Sequence, residues 1–222
     1  MSDEKSLKYN EPWILQRADP YVYRHTDGSY YFTASVPAYD GIVLRRAGTL
    51  AELSGAEEVM VWKKHESGPM SYHIWAPEIH YLFGKWYIYF AGGEAEDIWK
   101  IRPYVLECSG DDPLTDEWVE LGKMKRAAED EFSFEAFSLD ATVFENKGEY
   151  YYVWAEKVGV GKMISNLYIA KMESGNQLKT VQILLTTPDY DWERKGFWVN
   201  EGPAVILSLI HISEPTRHSL IS

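Results

Sequence analysis

Apolar positions along the chain come in short alternating runs with no helical stripe of useful length, and the runs repeat. One unit opens at Asp19, passes through Tyr21-Val22-Tyr23, turns at Thr26-Asp27-Gly28-Ser29 and continues as Tyr30-Tyr31-Phe32-Thr33-Ala34-Ser35. A second opens at Ala76-Pro77-Glu78-Ile79-His80-Tyr81, turns at Phe83-Gly84-Lys85 and continues as Trp86-Tyr87-Ile88-Tyr89-Phe90-Ala91. A third opens at Asp140-Ala141-Thr142-Val143-Phe144, turns at Asn146-Lys147-Gly148-Glu149 and continues as Tyr150-Tyr151-Tyr152-Val153-Trp154-Ala155. In each unit a glycine follows the start by eight or nine residues, and aromatic residues occupy the second and third positions after it. That is the signature of a β-hairpin, with glycine supplying the positive φ of a tight turn.

Two weaker apolar runs follow every hairpin. Third strands are predicted at Ile42-Val43-Leu44, Tyr104-Val105-Leu106 and Leu167-Tyr168-Ile169, and fourth strands at Val59–Trp62, Trp118–Leu121 and Val181–Leu185. A fresh unit opens at Asn200-Glu201-Gly202-Pro203-Ala204-Val205-Ile206, so the starts at residues 19, 76, 140 and 201 lie 57, 64 and 61 apart. Four short strands per period predict an all-β fold of propeller blades, here three blades and one further inner strand. The pattern stops after Ile206. Residues 207–222 hold no turn glycine and no paired aromatics, and resemble translated adapter sequence, so residues 1–206 are read as a partial propeller domain and 207–222 as a tail foreign to it.

Composition sharpens this. Of 222 residues 45% are hydrophobic and 15% aromatic, which suits half-buried strands and flat ligands such as sugar rings. A formal charge of −12 repels polyphosphate and anionic lipid, so nucleic acid and membrane surfaces are excluded as partners and a neutral substrate is expected. The single cysteine, Cys108, precludes an internal disulfide and is expected inert in a buried third strand. The opening Met-Ser-Asp-Glu-Lys-Ser lacks a basic-then-apolar layout, which predicts a cytoplasmic address.

First strands of blades line the central channel, so Asp19, Asp140 and Glu201, at the starts of three units, are expected to converge on the axis. Grouped acids raise one another's pKa, which keeps one carboxyl protonated while another stays ionised. Trp75, at the entrance to the second unit, is the candidate sugar-facing ring, and Phe137 and Trp198, each three residues before an acid, are candidate pocket walls. His73 and His80 have no metal-ligand spacing with a third residue and read as structural. Glu129-Asp130-Glu131 reads as a solvated loop between blades.

Four fragments, Arg17-Ala18-Asp19-Pro20, Trp75-Ala76-Pro77-Glu78, Ser138-Leu139-Asp140-Ala141 and Asn200-Glu201-Gly202-Pro203, in this order and at blade spacing, resemble family 43 glycoside hydrolases over about residues 10–206. The resemblance implies a five-bladed propeller, incomplete in this chain, and an inverting mechanism in which Asp19 is the base, Asp140 tunes the acid and Glu201 is the acid. Inversion needs the two working carboxyls about 6.5–9.5 Å apart, with room for a water. Within that family the chain looks most like exo-acting α-L-arabinofuranosidases, with an oligosaccharide as substrate. A β-xylosidase is the nearest alternative, and a sugar-binding or inactive propeller fragment is the non-catalytic one. No cofactor is expected. The calcium that family members hold near the axis, through water and a fifth-blade histidine, would need a blade beyond this sequence.

Overall fold

The computed structural model describes residues 12–158 and 164–206. Its hairpins turn where the glycines predict. In Phe83-Gly84 both residues have positive φ (52° and 75°), as do both in Lys147-Gly148 (54° and 77°). This is the two-residue type I′ geometry, whose twist matches that of the strands it joins.

The first sheet runs β1 (Ala18–Arg24), β2 (Tyr30–Ser35), β3 (Gly41–Ala47) and β4 (Val59–Lys63), in that spatial order and antiparallel throughout. The second repeats the order with β5 (Tyr72–Leu82), β6 (Lys85–Glu94), β7 (Asp97–Cys108) and β8 (Val119–Lys123). The third begins in the same way with β9 (Ser138–Asn146), β10 (Glu149–Val158) and β11 (Ile164–Ser174). The fold is all-β, with one short 3₁₀ turn at Leu50–Ser54 as the helical element among the described residues. Inner strands β1, β5 and β9 stand side by side, in the manner of propeller blades around an axis.

Two details depart from expectation. The outer edge of β11 is covered by three short segments in place of one fourth strand: β14 (Trp198–Val199), parallel at Ile164 and Ser165; β13 (Ile183–Thr186), at Leu167–Ile169; and β12 (Gln177–Leu178), at Met172 and Ser174. Residues 201–206, predicted as the inner strand of a fourth blade, form no strand. Their hairpin partner would have to come from beyond Ile206, and a strand is made by its ladder. The tail 207–222 lies outside the described residues.

Aromatic side chains fill the spaces between sheets. Trp62, Trp86, Phe90 and Tyr104 are buried between the first two sheets with Ile42, Ile79 and Cys108, and Tyr87, Tyr89, Phe134, Tyr152, Trp154 and Tyr168 between the second and third. Asp130 is buried, which corrects its reading as part of a solvated loop. It accepts the Phe132 and Ser133 backbone N–H groups (2.8 and 3.0 Å) and closes a turn. Glu156, fully buried in β10, accepts three donors: Phe134 N (2.9 Å) and the Trp154 indole N–H (2.8 Å) at Oε2, and Ala136 N (3.1 Å) at Oε1. It thereby fixes the segment that leads into β9.

Glu156 supplies acceptors only, so a Glu156→Gln substitution turns an amide N–H₂ toward one of these donors. An unmade buried hydrogen bond costs about 1–3 kcal/mol, and the variant is expected to lose that much in urea denaturation. An unchanged unfolding midpoint would show that the segment is held by packing alone.

Candidate active site

Each inner strand opens with a break in register. The shift falls between Ala18 and Tyr21 in β1, between Trp75 and Glu78 in β5, and opposite Val153–Ala155 in β9. At each break one residue takes a left-handed backbone: Asp19 (φ 48°), Ala76 (φ 45°) and Asp140 (φ 50°). Gly202 (φ 63°) continues the series. Such bulges turn a side chain out of the alternation of the strand, and aspartate tolerates the conformation better than most residues. The equivalents of Asp19 and Asp140 are therefore Ala76 and Gly202. Glu201 stands one residue earlier, in phase with Ala18, Trp75 and Leu139, which corrects its predicted equivalence to the two aspartates.

Asp19, Ala76, Glu78, Asp140, Gly202 and Pro203 line part of a cavity of about 550 Å³ among the inner strands. Ser35, buried at the end of β2, donates its hydroxyl to Asp19 Oδ2 (2.8 Å) and accepts the Ala76 backbone N–H (2.8 Å). Asp19 is thus held by the second sheet through one hydroxyl, with its other oxygen left over. Burial, with Glu201 and Asp19 adding negative charge nearby, pushes the Asp140 carboxyl up to about 7, against a hydrogen bond from the Gly202 backbone N–H. Partial burial raises Glu201 as well, and the Ser165 hydroxyl and the Lys157 ammonium oppose that rise. Both other predicted acids thus lie close enough to raise the Asp140 carboxyl. Asp140 is fully ionised only above neutral pH.

A fourth acid escaped the sequence reading. Glu78 lies two residues after Ala76, where β5 resumes its register, and lines the same cavity. It pairs with His80 Nε2 (2.9 Å), and His80 Nδ1 lies 3.4 Å from the Tyr21 hydroxyl, a network that ties β5 to β1. Among the described residues no group of three or more His, Cys, Asp or Glu is placed to hold a metal ion, so no calcium site is assigned.

The three predicted rings fare differently. Trp75 and Phe137 pack, half-buried, against Ala91, Ile101, Leu139 and Ala155, beside the cavity between the second and third sheets. One face of Phe137 carries the Lys157 ammonium at 3.8 Å, so this ring positions a cation beside Glu201. The Arg194 guanidinium lies 4.9 Å from the Trp198 ring. Trp75 has His73 against it at 4.2 Å and Tyr39 edge-on at 6.0 Å.

Known proteins match this arrangement. The family model described as glycosyl hydrolases family 43 matches residues 9–208. An extracellular exo-α-(1→5)-L-arabinofuranosidase of Streptomyces chartreusis is 49% identical over 195 residues, 88% of this chain and 58% of that protein. A protein of the same name from Streptomyces avermitilis is 46% identical over 201 residues, covering 90% of this chain and 40% of its own length. The crystal structure of an α-L-arabinofuranosidase from Lactobacillus brevis superposes with a TM-score of 0.79 at 51% identity, over 89% of this chain and 62% of that one. The chain therefore spans about two fifths to three fifths of the length of these relatives. The word extracellular in the two Streptomyces names overturns the predicted cytoplasmic address.

The raised Asp140 carboxyl has a measurable consequence. Its folded pKa lies above its unfolded one, so folding takes up a proton between about pH 4 and pH 7, and this residue's contribution to stability falls as pH rises through that window. A shift of this size is worth up to about 4 kcal/mol. Asp140→Asn is expected to be more stable than the parent at pH 8, with the difference vanishing near pH 4, in paired urea titrations. An equal difference at both pH values would refute the coupling.

Proposed function

The chain belongs to glycosyl hydrolases family 43, and from that premise we propose that it is part of an exo-acting hydrolase releasing terminal α-L-arabinofuranosyl units from arabino-oligosaccharides outside the cell. What supports this reading is that Asp19 and Asp140 line one cavity, with Glu201 near enough to raise the Asp140 carboxyl, in a chain 49% identical to an exo-α-(1→5)-L-arabinofuranosidase. The whole ring has five blades. Two four-stranded sheets and a third whose outer edge is built from three short strands, in a chain spanning 62% of the Lactobacillus brevis protein, agree with that count.

Asp19 is the base. Ser35 holds Oδ2, which leaves Oδ1 to take a proton from water and aim it at the anomeric carbon. Glu201 is the acid: a carboxyl raised by burial keeps its proton until the glycosidic oxygen needs it. Asp140 is the tuner. Two neighbouring carboxyls lose their protons in two steps, and the charge left by the first defers the second, so the pair retains a proton to near neutrality. Glutamate one residue ahead of the aspartate phase reaches from a different point of the strand start, which helps to separate acid from base by the width of a water. The matched proteins above 40% identity are all named arabinofuranosidases, which favours a furanosyl substrate over xylo-oligosaccharides.

The test uses a chain carrying the remaining length of the relatives. Asp19→Asn is expected to lower turnover by about 10²–10⁴-fold or more on every arabinofuranoside. Glu201→Gln should be severe for sugar leaving groups and mild for an activated phenol, and Asp140→Asn should move the basic limb of the pH–rate profile to lower pH. Proton NMR at early times should show the inverted anomer. A retained anomer, or equal loss by Glu201→Gln across leaving groups, would overturn the assignment.

A further inference from the structure

The cation that stands over Phe137 has a fixed address in the sheet. Lys157, near the end of β10, donates its backbone N–H to the Phe137 carbonyl (2.9 Å), and its ammonium lies 3.8 Å from the centre of the same ring. The ring is itself held among Ala91, Ile101, Leu139 and Ala155. Across the ladder Lys157 stands opposite Ser165 of β11, and Ser165 in turn stands beside Val199 of β14 and accepts the Asn200 N–H at its carbonyl (2.9 Å). Residues opposite one another in a ladder share a face, so this row runs from the lysine to the residues just before Glu201. A lysine on an open strand end extends its ammonium into water. This one is half-buried against a ring, and among the described residues no carboxylate stands at ion-pair distance from it.

Glu201 meets a different neighbour from each strand. Asp140 faces it from β9, Lys157 from β10 and the Ser165 hydroxyl from β11. On the loop leading to it, Arg194 is engaged by the Pro188 carbonyl and Asp189, and Glu193 by the Asp189 and Tyr190 N–H groups, so these charges are met within the loop. In the reaction assigned to this site, Glu201 gives its proton to the glycosidic oxygen, which keeps the electron pair of the broken C–O bond, while Asp19 takes a proton from the attacking water. Glu201 therefore begins neutral and ends as a carboxylate. Only an interaction that strengthens along that path lowers the barrier. An ammonium attracts the carboxylate and is nearly indifferent to the neutral acid, so its help arrives with the charge. Asp140 acts with the opposite sign, its negative charge holding the proton on Glu201. A free lysine would swing into solvent, and the Phe137 ring removes that freedom by holding the ammonium over its electron-rich face.

We propose that Lys157, seated on Phe137, receives the negative charge that Glu201 acquires when it gives up its proton, and is thus a positioning residue for departure of the leaving sugar. The proposal rests on the reading of Glu201 as the acid. The experiment uses the full-length chain and the pH profile of kcat. Lys157→Met is expected to move the basic limb about one unit to higher pH, opposite to Asp140→Asn, because without the ammonium the proton is held more tightly. It should slow cleavage of arabinobiose about threefold and that of an activated aryl arabinofuranoside by less, and Lys157→Arg should restore both. Phe137→Leu keeps the charge and removes its seat, and should move the limb in the same direction. A limb that stays in place in either variant, or equal slowing on the two substrates, would overturn the proposal. If Lys157→Met does not fold, the limb of Phe137→Leu decides alone. Should the parent cleave neither substrate, the functional reading fails by itself. The pair is then judged by carbon NMR of the Glu201 carboxyl, whose titration must still move to higher pH in Lys157→Met, and an unchanged midpoint would dismiss it.

Discussion

The reversal of φ at the head of each inner strand is the constraint on which the site depends. A regular strand would send Asp19 and Asp140 alternately into the channel and into a neighbouring sheet, following the two-residue period. With a left-handed residue at the bulge, the side chain is aimed by the backbone itself, and the following Pro20, Pro77 or Ala141 resumes the strand. Because the device recurs, the channel receives one such side chain from each sheet. The chemistry then depends on which residue stands there: an acid in the first and third units, alanine in the second, glycine in the fourth. Ala76 is as informative as the acids. With no side chain beyond Cβ, it leaves room in the cavity and lends only its N–H, through Ser35, to Asp19.

Packing between the sheets makes that aim rigid. Trp86 and Trp154 are buried on opposite sides of the second sheet, and the rings around them lock each blade to the next at a fixed angle. Buried polar groups stitch the same seams. His80 joins Glu78 to Tyr21 across the first seam, and the Tyr89 hydroxyl donates to the Gly175 carbonyl across the second (2.7 Å). Each satisfies a donor or acceptor that would otherwise be stranded in an apolar interior. The cavity therefore rests on three sheets that cannot shift independently.

The hairpins and the order of the strands were legible because glycine position and paired aromatics are local signals that recur three times. The phase of Glu201 was not, since the left-handed position is filled by Asp, Ala and Gly, three residues that share no composition signal. Glu78 was legible in principle, two residues past Ala76 on the same face, but it was hidden inside a run read as core. The covering of Phe137 by Lys157 joins residues twenty apart through the edge of a hairpin, and no spacing announces it. Likewise, the apolar run at 181–185 does supply an edge strand, β13, but the two segments that complete the edge of β11 come from tertiary contacts that no local pattern announces.

That edge bears on how the molecule avoids its own kind. An eleven-residue strand with an unbroken free border would offer a template for another chain to join. Here the border is tiled by three short segments, one parallel and two antiparallel, so an incoming strand finds no continuous row of donors and acceptors. The tiles are joined by loops that bear no load in the sheet, and the stretch from Thr187 to Phe197, just ahead of Glu201, is one of them. Lengthening or shortening that stretch would reshape the mouth of the channel and leave the ladder intact, giving evolution a place to alter what enters without remaking what cuts.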